Sequence, residues 1–470
     1  MKYVSTRGTA PQLGFCDVLL AGLARDGGLY VPETWPSFSA DALARLAGLP
    51  YHEVAFAVIQ PFVGGEIEGA LLARLCREAY ATFRHPAVAP LVQTGPNAFI
   101  LELFHGPTLA FKDVAMQLLA RLMDHVLTAR GRRATIVGAT SGDTGGAAIE
   151  AFRGRQATDI FILFPKGRVS PVQQRQMTTA ADANVHAVAV EGSFDDCQAI
   201  VKSLFNDLKF RDRVALSGVN SINWARIVAQ VVYYVTAGLA LGAPHRAVSF
   251  TVPTGNFGDV FAGYVAKRIG LPIERLVIAT NSNDILARTL ASGRYETTGV
   301  VPTTSPSMDI QVSSNFERLL FEAAGRDPDT VRQLMGGLAQ SGAFTVPPAA
   351  LSAIRSEFEA GRADEAATAA TMRSLLAETG YLADPHTAVA LTVANRMAPS
   401  ATPMVTLSTA HPAKFPAAVE AATGIKPELP AWLGDFMDRE EHFSVLPNDT
   451  EAVARFVEAR ARAVEERAGT

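Results

Sequence analysis

From about residue 96 onward, short apolar runs rich in β-branched and aromatic residues alternate with helical stretches, and that alternation leaves few folds open. Segments 98–104, 134–139, 160–164, 185–190, 249–252, 275–279 and 404–407 read as strands. They are almost continuously hydrophobic, the pattern of strands covered on both faces. Segments 114–128, 147–152 and 260–269 have the spacing of helices between them. The order predicts an α/β chain with parallel sheets covered by helices. In such sheets ligands bind beyond the carboxyl ends of the strands.

The flanking regions read differently. Segments 40–49 and 66–82 carry helix-period apolar spacing, and Gly27, Gly28 and Pro32 punctuate what precedes them, which predicts a small, mainly helical N-terminal domain. Residues 325–375 are rich in Ala and charge and read as helices, and 448–467 mixes Glu and Arg as a solvated terminal helix would. A chain of 470 residues suits two or three domains at about 150 residues each. The boundaries expected are a cap over 1–95, a catalytic α/β region of two subdomains over 96–425, and a C-terminal helical extension over 426–470.

Composition excludes some partners. A formal net charge of −4 gives no nucleic-acid footprint. Segment 227–243 is uncharged and mostly apolar, but it is shorter than the roughly 20 residues of a membrane span, and Gln230, Tyr233, Tyr234 and Thr236 interrupt it. A buried helix is the expectation. Cys16, Cys76 and Cys197 form no CxxC pair, and the first residues lack the apolar core of a signal peptide, so a cytoplasmic protein is expected. The histidines show neither HExxH nor a His/Cys cluster, and no metal site is expected.

Three segments carry chemistry. Lys112 closes His105-Gly106-Pro107-Thr108-Leu109-Ala110-Phe111-Lys112, beside an apolar wall. An amine held there loses solvation, so its pKa falls and it becomes nucleophilic. Thr140-Ser141-Gly142-Asp143-Thr144-Gly145-Gly146 is a strand, a turn and a helix start, where first-turn N–H groups and the hydroxyls of Ser141 and Thr144 could take a carboxylate or phosphate. It also fits a plain βα turn capped by Ser and Asp. Gly255-Asn256-Phe257-Gly258-Asp259 repeats the arrangement and suits a phosphate dianion. A lysine for an aldehyde cofactor, a loop for a substrate anion and a loop for the cofactor's phosphate are the parts of a pyridoxal-phosphate enzyme.

Two further segments are candidates. Asn220-Ser221-Ile222-Asn223-Trp224-Ala225-Arg226 offers a guanidinium for a phosphate, or a helix cap with a structural arginine. Thr409 follows a strand and could face the pyridine nitrogen, while His411 and Lys414 read as packing and surface residues. His105 reads as a structural hydrogen-bonding residue.

Along nearly its whole length the chain resembles the threonine synthase family of fold type II, in its longer-chain branch. The resemblance rests on Ser5-Thr6-Arg7-Gly8, on Asp26-Gly27-Gly28-Leu29-Tyr30-Val31-Pro32, and on the lysine segment and both glycine turns. Phe164-Pro165-Lys166-Gly167 and Phe194-Asp195-Asp196-Cys197 narrow it further. The resemblance implies a tryptophan-synthase-β-like fold and a Schiff base between Lys112 and pyridoxal 5'-phosphate. Gly255, Asn256, Phe257, Gly258 and Asp259 would cradle the cofactor's phosphate, Thr409 would meet its ring nitrogen, and Asp143 would lie near its phenolic oxygen. Ser141, Gly142 and Thr144 would contact the substrate, and Asn220 and Arg226 its phosphate. The implied reaction turns O-phospho-L-homoserine and water into L-threonine and phosphate, in a monomer or homodimer. A pyridoxal-phosphate lyase or dehydratase acting by elimination alone shares the same lysine and loops. A non-catalytic binding protein would be expected to have lost them.

Overall fold

The computed structural model describes residues 1–140 and 142–464. Two parallel sheets organise it. The larger has six strands, ordered in space Phe358–Arg362, Ile273–Thr280, Val248–Pro253, Met404–Ser408, Ala98–Glu102 and Leu91–Gly95, and only the last pair is antiparallel. The smaller has five, ordered Ser444–Pro447, Val185–Glu191, Thr158–Pro165, Ala134–Ala139 and Leu216–Ser217, all parallel. Every residue of Thr158–Pro165 is buried, as a strand covered on both faces requires.

The two glycine turns therefore sit at the carboxyl ends of strands in different sheets. One leads from Ala134–Ala139 into the helix Asp143–Phe152, the other from Val248–Pro253 into Gly258–Arg268. The lysine loop follows Ala98–Glu102, beside the central strand Met404–Ser408.

The uncharged segment is the helix Trp224–Ala240, with nearly every side chain buried. Among the described residues no helix is long and apolar enough to cross a membrane. This helix also ties the N-terminal region to the rest. Trp224 packs against Tyr3, Trp35 and Phe62, all in one continuous apolar core. The Ser5-Thr6-Arg7-Gly8 motif closes the same seam: Thr6 Oγ1 donates to Glu317 at 2.6 Å, and Arg7 grips both oxygens of Glu317 at 3.0 and 2.9 Å. The first 95 residues share their core with the α/β body. They also hold a two-stranded antiparallel pairing, Tyr3–Ser5 with Tyr30–Pro32.

Three edge strands depart from the expected pattern. Phe358–Arg362 lies inside the stretch read as helical, between Pro348–Glu357 and Glu365–Thr379. Ser444–Pro447 lies in the segment read as a helical extension, and pairs in parallel with Val185–Glu191. Leu91–Gly95 precedes the expected start of the α/β region. Edge strands bury one side at most, so their polar residues hide the apolar signal. The terminal helix Thr450–Glu458 is likewise not fully solvated, since Val453 and Val457 are buried against Leu204 and Phe210.

Candidate active site

Backbone pairing brings the lysine loop onto the end of the central strand. Phe111 N donates to Thr409 O at 2.8 Å, His411 N to Leu109 O at 3.0 Å, and Ala110 bridges Ala410. Lys112 then opens the helix Lys112–Ala129, buried to 8 % exposure. Its Nζ lies 3.5 Å from Asp143 Oδ2 and 3.4 Å from Ser307 Oγ. Burial lowers the Lys112 pKa, Asp143 opposes that, and the positive charges of Lys414 and Arg226 add to the lowering. The net direction is toward a neutral, nucleophilic amine.

Asp143 is the hub. Lys414 Nζ reaches its Oδ1 at 2.9 Å and Gln173 Nε2 donates to the same oxygen at 2.9 Å. Burial disfavours its charge, but Lys414 and Lys112 outweigh that and hold the carboxyl far below the ordinary range. Lys414 is fully buried, and its ammonium also donates to Thr108 O at 2.7 Å and Gln176 Oε1 at 2.9 Å. Read from the sequence as a surface residue, it is instead a buried counter-charge.

The turn after Ala134–Ala139 caps itself with a residue that the sequence reading left aside. Thr140 Oγ1 accepts from Gly142 N at 2.9 Å and Gly145 N at 3.0 Å, so those two N–H groups are already satisfied. Gly142 holds φ +145, and a Cβ there would meet the Gln173 amide at 2.4 Å. Thr144 is half-buried, and its hydroxyl makes no hydrogen bond among the described residues. Ser141 lies outside the described residues.

The second turn has the form of an anion cradle. Its carbonyls are drawn outward: Gly255 O accepts from Ser313 Oγ at 2.7 Å, and Asn256 O from Asn315 N at 3.1 Å and Nδ2 at 3.0 Å. The N–H groups of Gly255, Asn256 and Phe257 meet no acceptor among the described residues. Gly258 opens the helix, where first-turn N–H groups lack intrahelical partners. The left-handed residue of the turn is Phe257, at φ 64, which packs on Phe316 and Phe358. Asp259 contributes less than expected. Its carboxylate accepts from Tyr233 and Tyr234 within the protein, and burial pushes its pKa up to about 6. Only its backbone N–H suits a phosphate. Gly255 is confined as well, because a Cβ there would lie 2.8 Å from Ser307 O. A Gly255→Ala variant is expected to bind pyridoxal phosphate at least about tenfold more weakly, measured by absorbance titration.

Arg226 is buried at 3 % exposure in the first turn of Trp224–Ala240. Burial lowers its pKa to about 10. Its one hydrogen bond goes to Val219 O at 3.3 Å, and its Nε has no partner among the described residues. A buried cation with spare donors is costly without an anion. Asn223 supplies the helix cap, accepting from Ala225 N at 3.0 Å. Asn220 is exposed, and its amide makes no hydrogen bond among the described residues. Thr409 is buried, and its hydroxyl is likewise uncommitted.

These features fit the group that the lysine implies. Free N–H groups, a confined glycine, an amine of lowered pKa and an uncommitted hydroxyl are the donors such a group needs, and Ser307 links two of the segments, lying against both Lys112 and Gly255. Three family models match in order: threonine synthase N terminus over 2–80, pyridoxal-phosphate dependent enzyme over 83–334, and threonine synthase C-terminal over 387–457. Threonine synthase of Pseudomonas aeruginosa is 54% identical over 97% of this chain and 98% of its own. The chain belongs to the threonine synthase family. Among solved structures, the pyridoxal-phosphate-bound threonine synthase from Brucella melitensis is 68% identical, with TM-score 0.97 over 98% of this chain and 100% of that one. Yeast threonine synthase matches at TM-score 0.93 and 40% identity, covering 98% of each chain. Membership of this threonine synthase family makes the protein a pyridoxal-phosphate-dependent enzyme of fold type II.

Proposed function

We infer that the protein converts O-phospho-L-homoserine and water to L-threonine and phosphate. The observation that carries this is Arg226: a buried guanidinium with an unpartnered Nε, close enough to lower the pKa of Lys112, in a chain of this family. A dehydratase of unphosphorylated amino acids would have no second anion for it.

Lys112 would hold the cofactor through Nζ, Thr409 would face its ring nitrogen, and the N–H groups of Gly255, Asn256, Phe257, Gly258 and Asp259 would take its phosphate. Pyridoxal phosphate supplies an electron sink for negative charge developing on the substrate. Lys112 Nζ, whose pKa burial lowers, takes the proton from the substrate Cα. A further proton leaves Cβ as phosphate departs from Cγ; a proton then returns to Cγ, the hydroxyl of water adds at Cβ while its proton leaves with phosphate, and Lys112 returns the proton to Cα. Arg226 stabilises the departing phosphate by fixed positive charge. Gly142 and Thr144, with Ser141, bind the substrate's other end, and Asn220 reaches its phosphate from the turn. Asp143, held ionised, keeps the lysine oriented and would lie beside the cofactor's phenolic oxygen.

The regions 1–95, 96–425 and 426–470 serve in this reading as cap, catalytic body and C-terminal segment. The negative net charge and buried free cysteines support a cytoplasmic enzyme that works on small molecules without nucleic acid, and with it we propose a monomer or homodimer that needs no membrane.

The test is to incubate the protein with pyridoxal phosphate and O-phospho-L-homoserine and to quantify phosphate, threonine and 2-oxobutyrate together. Equal phosphate and threonine are expected; 2-oxobutyrate in place of threonine would replace the synthase with a lyase. Arg226→Ala is expected to lower kcat/KM for the phosphorylated substrate by about 10²–10³-fold while the cofactor stays bound. Unchanged kinetics in that variant would remove Arg226 from the site.

A further inference from the structure

Ser307 comes from none of the glycine turns, yet it touches the centre of the site. Its Oγ lies 3.4 Å from Lys112 Nζ and 3.4 Å from Asp143 Oδ2. Its carbonyl presses on Gly255 from the other side. The backbone behind it is held by an unusual partner. Ser307 N donates to His386 Nε2 at 3.2 Å, and His386 Nδ1 pairs with Asp384 Oδ2 at 2.7 Å. A backbone N–H can only donate, so Nε2 is the accepting nitrogen and the ring proton sits on Nδ1, facing Asp384. Asp384 is fully buried and is fixed in turn by the N–H groups of His386 at 2.9 Å and Thr387 at 3.1 Å. His386 is 3 % exposed and stacks near Phe415. A buried, fully satisfied chain of this kind specifies one geometry.

We propose that Ser307 is a further catalytic residue, whose hydroxyl holds the Lys112 amine against Asp143, and that His386, locked by Asp384, is the positioning residue that keeps it there. The proposal rests on Lys112 being the cofactor-bearing base of the reading above. The hydroxyl accepts from the lysine nitrogen and donates to the carboxylate, so it steadies Nζ between its turns at cofactor and substrate. The charged groups facing Nζ are Asp143, Lys414 and Arg226, and all three remain when Ser307 loses its hydroxyl. Removing that acceptor disfavours the charged form of the nitrogen.

The test uses the full-length chain loaded with pyridoxal phosphate and needs no substrate for its first readout. The visible absorbance of the lysine-bound cofactor is titrated with pH. In Ser307→Ala the midpoint is expected about one pH unit lower than wild type, and kcat about tenfold lower with KM within about twofold. Ser307→Thr, which keeps a hydroxyl, should restore both. His386→Leu should reproduce the Ser307→Ala midpoint, the double variant should add nothing, and His386→Gln should return toward wild type by offering an acceptor in place of Nε2. A Ser307→Ala midpoint and kcat equal to wild type would overturn the catalytic assignment. A shift in Ser307→Ala without one in folded His386→Leu would overturn the positioning role. Ser307 is half-buried, so its alanine variant folds even if a histidine variant does not. If the wild type makes no threonine, the reaction assigned above fails, while the absorbance titration still decides the role of Ser307.

Discussion

Lys112→Ala is expected to abolish threonine formation, by about 10⁴-fold or more, and to leave no covalently attached cofactor. In the proposed reaction two functions rest on one nitrogen: attachment of the cofactor and removal of the substrate's Cα proton. No nearby group can take over either. Lys414 is the closest alternative amine, but it already donates to Thr108 O, Gln176 Oε1 and Asp143. Arg226 remains protonated at neutral pH even with its pKa lowered to about 10. The fold should survive, because Asp143 keeps Lys414 and Gln173 when Lys112 is gone. The measurement is intact mass after borohydride reduction, alongside the product assay. A cofactor adduct of unchanged yield in the variant would sink the assignment of Lys112.

Much of this site was legible because its parts lie in local sequence patterns. A strand ending in glycines before a helix marks an anion turn, and both such turns stand where expected. The central strands were equally legible, since Thr158–Pro165 and Val248–Pro253 are buried on both faces and read as unbroken apolar runs. Edge strands such as Ser444–Pro447 were not. Half of such a strand faces water, and its identity depends on a partner 256 residues away in sequence, a separation that a local pattern cannot carry.

The groups that tune the site were the ones missed, for the same reason. Ser307 sits in a polar loop, and nothing local says that His386 will receive its N–H. Asp259 fits an anion turn by position, but Tyr233 and Tyr234 from a preceding helix claim its side chain. The cap of Asp143–Phe152 was assigned to Ser and Asp, while Thr140, one residue earlier, holds the turn's N–H groups. One signal was available: Lys414 follows His411-Pro412-Ala413 directly beyond a buried strand, where a cation is kept from water and must find a buried anion.

Lys414 carries the second large expectation. In Lys414→Met the shape is roughly kept but three donated hydrogen bonds and a buried charge are lost. Removing one partner of a buried pair costs about 3–5 kcal/mol, which for a chain of this size lowers the thermal midpoint by about 3–5 °C. The pH dependence follows from the signs. Asp143 has its folded pKa depressed, so its pairing contributes fully above the unfolded value of about 3.9 and is lost only as pH falls through the lower folded value. Without Lys414 the depression shrinks, and acid sensitivity begins at higher pH. Lys112 moves the other way in consequence for the reaction. Lys414 lowers the Lys112 pKa by like charge, so its removal raises that pKa and reduces the share of free amine at a given pH. Turnover should therefore fall by roughly tenfold near neutrality and recover as pH rises. Thermal melts and a pH–rate profile of the cofactor-loaded variant measure both effects. A variant that melts with wild type and keeps its profile would remove Lys414 from the role of counter-charge to Asp143.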